Sequence, residues 1–190
     1  MRHRLRWLLV TVVACTPVAT WAVFKPVRVL APTLLGLHCP SESICIDDLA
    51  HLEQASRLRN EAVAFVESRL GPMQKVPRVI FCAHAACAIS FGFTSNAAYN
   101  VGTSGMVVAP RGWEPYFVRH ELIHRSQMEH MGSWHALLFT PTWLIEGMAY
   151  SFSEDPRRPL LEPLQGYRAK FESWYTGVRP QNLWAAASAL

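Results

Sequence analysis

The first 41 residues of this 190-residue chain contain no acidic side chain; Glu42 is the first. Five of the 18 basic residues (Arg2, Arg4, Arg6, Lys25 and Arg28) lie in that stretch, which leaves 13 basic against 14 acidic residues from residue 31 onward. The net charge of +4 is therefore a property of the N-terminus, and the body is close to neutral. Nucleic-acid binders usually carry their excess charge on the folded domain, so this balance argues against that class. Charged residues are few, 17% against 51% hydrophobic, which excludes a disordered chain. The length suits one domain with a real core and is too short for two ordinary ones. No internal repeat is present.

Cysteine is also sparse. One of the five, Cys15, sits in an apolar run, and the others form two close pairs, Cys39 with Cys45 and Cys82 with Cys87. In an oxidising compartment such pairs read most simply as two small-loop disulfides. Their spacings fit no common zinc-knuckle pattern, and buried free thiols are the alternative. His84, inside the second pair, is read as a bystander.

The N-terminus has a basic start and then an uncharged run of 18 residues, Trp7 to Phe24. A run of that length can just span a bilayer, and the arginines before it favour a cytoplasmic N-terminus with the rest exported. Residues 1–30 are accordingly expected to be a single-pass signal-anchor, with the domain on the extracytoplasmic, periplasmic side. Cleavage near Thr20-Trp21-Ala22, or lipidation at Cys15 in Val12-Val13-Ala14-Cys15, are the alternatives. Residues 31–46, with their prolines, read as a linker, and 47–190 as the folded domain.

Within that domain, Asp47 or Asp48 can cap a helix reaching about Leu70, stopped by Gly71-Pro72. "KVPRVIFCA" reads as a strand, "AISFGFTSNAAYNVGTSG" as a loop or irregular hairpin, and "GMVVAP" as a second strand. Helices are expected over Trp113–Met131, Thr142–Phe152 and Leu160–Tyr175. This order predicts an α+β fold with a small sheet at its N-terminal side.

The first of these three helices carries the chemistry, in "RHELIHRSQMEHMG", residues 119–132. His120-Glu121-Leu122-Ile123-His124 is an HExxH pattern. Two histidines four apart on a helix lie about 40° apart around its axis, so both can reach one ion. Zn²⁺ suits neutral imidazoles and leaves a coordination position for water in catalytic sites. Glu121 is then placed as a general base for that water. Leu122 and Ile123 can face the core. Composition alone produces this pattern in roughly 2% of random chains, so a third ligand has to be found before the site is credible.

Two candidates compete. His130 falls on the last position of the metzincin pattern HExxHxxGxxH, but Gln127 occupies the glycine position. Without that glycine the helix continues, and His130 lies about 240° around the axis from His124. Glu146, in "PTWLIEGMAYSFSE", is the second. Its neighbours are mostly apolar, and a carboxylate there is costly to bury without a cation or metal. A small residue at Gly147 allows close helix approach.

At this point the chain resembles the gluzincins, HExxH metallopeptidases whose third ligand is a downstream glutamate and whose signature often reads W-L-x-E-G-x-A. Here Trp143-Leu144-Ile145-Glu146-Gly147-Met148-Ala149 matches it, and the likeness covers roughly residues 76 to 155. The resemblance implies that His120, His124 and Glu146 bind zinc, that Glu121 is the general base, and that "SGMVVAP" is an edge strand pairing with an extended substrate. One departure concerns the acid that some gluzincins carry four residues past the ligand glutamate. Tyr150 stands there, either as an oxyanion donor or as a core tyrosine. Trp113, Trp134 and His135 can line a cleft or simply pack, and Arg119 and Arg125 are read as solvated charges. The function expected is a membrane-anchored extracytoplasmic zinc peptidase acting on peptide or protein substrates. The alternatives are a non-catalytic, zinc-stabilised or degenerate domain that binds a partner, and a disulfide-stapled protein without metal.

Overall fold

A computed structural model of the chain describes residues 20, 21 and 23–190. Residues 1–19 and 22 of the expected signal-anchor lie outside the described residues, and its described end carries a 3-10 turn at Lys25–Leu30. Among the described residues no helix is long and apolar enough to cross a membrane.

The fold is α+β. Five strands form one sheet in the order β1-β2-β3-β5-β4, with β1 at His38–Ser41, β2 at Ile44–Ile46, β3 at Val79–Phe81, β4 at Ala98–Val101 and β5 at Gly105–Val108. The central three strands are parallel, and β1 and β4 flank them antiparallel. The central strands read as unbroken apolar runs because both faces of the sheet are covered.

Two of these strands fall where the sequence pointed elsewhere. Residues 31–46, expected as a linker, contain a 3-10 turn at Pro32–Leu35 and then β1 and β2, so the sheet begins before residue 47. The "GMVVAP" strand is also not an edge. It is β5, held between β3 and β4, and the free edge on that side is β4, which lies in the stretch read as an irregular hairpin. The reason is its sequence: Met106, Val107 and Val108 are buried on both faces, whereas Tyr99 and Asn100 of β4 keep polar or solvent-facing sides.

The helices are α1 (Leu52–Leu70), α2 (Ala85–Ser90), α3 (Pro115–Met131), α4 (Ser133–Leu138), α5 (Thr142–Phe152), α6 (Leu164–Tyr175) and α7 (Leu183–Ser188). Asp48 caps the 3-10 turn that leads into α1, its Oδ1 accepting from the Ala50 amide at 2.9 Å. Gly71, at φ 91°, ends α1, and Gly132, at φ 83°, ends α3. Helix α3 packs against α1, α5 and β4. Leu122 and Ile123, between the two motif histidines, are 0% and 1% exposed and fix which way α3 faces. The other face of the sheet carries both disulfides, Cys39–Cys45 and Cys82–Cys87, beside Val29, Ile80 and Phe91.

Arg119 and Arg125 are not solvated bystanders. Arg119 pairs with Glu61 of α1 and lies 3.8 Å over the Phe65 ring, pinning α3 to α1. Arg125 is 7% exposed and donates to Glu129 at 2.7 and 2.9 Å.

Candidate metal centre

Because α3 continues without a break, His120 and His124 stand one above the other on the side facing α5. Their Nε2 atoms are 3.0 Å apart, and each faces a different oxygen of Glu146 at 3.6 Å. The side chains are largely covered, 11% and 13% exposed for the histidines and 30% for Glu146. The ligand atoms of the three residues lie within 4.8 Å of one another. Bond lengths of about 2.0–2.1 Å to a tetrahedral ion put neighbouring donors about 3.3 Å apart, so the spacings here fit such an ion. The donor set of two imidazoles and a carboxylate can hold a metal.

Electrostatics agree. Burial pushes the Glu146 carboxyl up, but the His120 imidazole facing it and the charges of His124 and His120 outweigh burial and hold it below the usual carboxylate range. Glu121 behaves oppositely. Burial raises its pKa, aided by the nearby Glu146 charge, and the opposing pull of His124 and Asn100 is insufficient. Asn100, on edge strand β4, donates its Nδ2 to both the Glu121 backbone oxygen and Oε2, each at 2.7 Å. The base candidate is thus oriented by the sheet edge.

These residues open onto a cleft of about 680 Å³. Its walls include Ala98 and Tyr99 of β4, Leu137 of α4, Arg111 and Arg157. Tyr150 also lines it, one turn past Glu146, with its ring 4.5 Å from that of His120 at 63°. Burial and the Glu146 charge raise the Tyr150 pKa, so its phenol stays protonated and able to donate.

The other sequence candidates lie elsewhere. His130 is exposed and stacks on Trp184 of α7 at 4.3 Å, away from the three ligand atoms. Trp113 donates to the Cys82 carbonyl at 2.9 Å in the core, and Trp134 is 75% exposed. Gly147 does permit close approach, but to α6 and not α3: a Cβ there would sit 2.3 Å from the Tyr167 oxygen. On α5 the residue next to Glu146 necessarily points about 100° away from it.

Two polar contributors escaped the sequence reading, Asn100 and Gln127. Gln127 accepts from His124 Nδ1 at 2.9 Å. Its i,i+3 placement from His124 was a usable signal, since such residues are neighbours on one helix face. Asn100 carried none, because its contact with Glu121 depends on how β4 meets α3.

No family model matches the chain, and comparison with curated proteins and with solved structures finds no match.

Proposed function

We propose that the chain is a zinc-dependent peptidase of the gluzincin type, with His120, His124 and Glu146 as ligands and Glu121 as general base. The observation that carries this reading is the convergence of three donors beside a partly buried glutamate that is not itself one of the three, all lining an open cleft. When bound, Zn²⁺ supplies Lewis acidity that activates water and polarises a carbonyl.

The chain's own groups do the rest. Asn100 holds Glu121 in place to take a proton from the attacking water and hand it to the leaving nitrogen. The Tyr150 phenol is positioned to donate toward the oxygen that gains charge. The outer edge of β4, whose other edge pairs with β5, supplies backbone groups for an extended peptide. The N-terminal apolar run would tether this domain to a membrane on its extracytoplasmic side, where both disulfides can persist. The near-neutral body argues against a nucleic-acid partner.

The test is Glu121→Gln on peptide-library cleavage by zinc-loaded protein. Turnover should fall by about 10²–10⁴-fold with zinc content unchanged. Undiminished cleavage by the variant overturns the assignment, and zinc binding without any cleavage by the unaltered protein favours the partner-binding alternative.

A further inference from the structure

Gln127 is 1% exposed, and its amide has two different partners. Oε1 lies 2.9 Å from His124 Nδ1, and Nε2 lies 2.9 Å from the carbonyl oxygen of Ile145. A carbonyl oxygen can only accept, so the amide end facing Ile145 is the NH₂ group and the end facing His124 is the oxygen. That oxygen also only accepts, so His124 Nδ1 carries the ring hydrogen. The lone pair is then left on His124 Nε2, the atom that faces His120 at 3.0 Å and Glu146 at 3.6 Å. Ile145 immediately precedes Glu146, so the same amide ties α3 to the part of α5 that bears the third ligand.

We infer that Gln127 is a positioning residue: it locks His124 in the tautomer that can ligate a metal and fixes the spacing between the two ligand-bearing helices. This rests on the proposal that His120, His124 and Glu146 hold a divalent ion. It also gives a physical sense to the residue that stands at the metzincin glycine position. A glycine there would offer neither bond, whereas glutamine keeps α3 straight and supports a ligand from another helix. Outer partners of this kind typically change metal affinity by about 10–100-fold.

The experiment compares the unaltered chain with Gln127→Met, which keeps the volume and removes both bonds, and Gln127→Glu, which keeps an acceptor for Nδ1–H. Ring-nitrogen NMR of metal-free protein, at a pH where His124 is neutral, reports the tautomer. Competition with a chromophoric chelator reports the Zn²⁺ dissociation constant. The unaltered protein should show His124 protonated on Nδ1. Gln127→Met should populate the Nε2–H form and weaken Zn²⁺ binding by about 10–100-fold, and Gln127→Glu should keep the Nδ1–H form. A His124 protonated on Nε2 in the unaltered protein overturns the inference without any variant, even if Gln127→Met fails to fold. Unchanged tautomer and affinity in a folded Gln127→Met overturn it as well. Absence of Zn²⁺ binding by the unaltered protein would instead defeat the metal-site proposal, while the metal-free tautomer would still decide what Gln127 does to His124.

Discussion

Ile46, Phe81 and Val108 point from the sheet into the helical layer, whereas Cys45, Ile80 and Val107, one residue away in the same strands, point to the opposite face. The helical side is a broad core in which Leu122, Ile123, Leu144 and Met148 surround the base of the candidate site. The opposite side is a smaller cluster closed by two disulfides. The difference has a physical origin. Holding two imidazoles and a carboxylate at fixed spacing requires helices whose positions are set by many apolar contacts. A small cluster with few such contacts is secured by cross-links instead.

The contrast can be broken from either side. The largest stability loss should come from Gly147→Ala, because the added Cβ meets backbone at 2.3 Å and Phe171 Cβ at 2.7 Å. Neither neighbour is a flexible tip, and overpacking of this kind costs about 3 kcal/mol. Urea unfolding should show it, together with weakened metal binding, since α5 would have to move. On the other face, replacing Cys82 and Cys87 together by Ser opens a small loop and should cost about 2 kcal/mol on the chain-entropy estimate. Metal stoichiometry, measured on the same sample, should not change. A loss of metal there would mean that the two faces are not independent.

The smallest effect sharpens the comparison within the helical side. The Glu121 carboxyl has a raised pKa in the metal-free fold. Below the ordinary carboxylate pKa both folded and unfolded states hold the proton, and burial carries no penalty. As pH rises past that value the unfolded state ionises first, so the fold loses stability until the folded pKa is passed. Glu121→Gln should therefore raise the melting temperature of metal-free protein at neutral pH, and the gain should vanish in acid. A gain that is equal at both pH values would point to packing and not to charge.

Much of this was legible in the sequence. The apolar positions of α1, the glycines that end α1 and α3, and the limits of α5 follow from period, caps and breakers. Helix geometry sets His130 apart from His120 and His124, whereas Glu146 was pointed to by the resemblance of its segment to the gluzincin signature and by its apolar neighbours. What stayed hidden depends on pairing between distant segments. Residues 38–46 are rich in Cys, Pro and Ser, and they become strands only because β2 pairs with β3, some 35 residues later. Strand β5 looked like an edge until β4 was placed beside it. Arg119 looked solvated because its partner, Glu61, lies on α1, while Arg125 pairs with Glu129 one turn along its own helix and only its burial depends on how α3 is packed.

The central claim is that the third ligand is Glu146 and not His130. Metal content of purified Glu146→Ala and His130→Ala proteins, measured side by side by elemental analysis with circular dichroism to verify folding, tests it most directly. The account predicts close to one zinc per chain in His130→Ala and a loss of most of it in folded Glu146→Ala. Retention of metal by Glu146→Ala, with loss in His130→Ala, would contradict it.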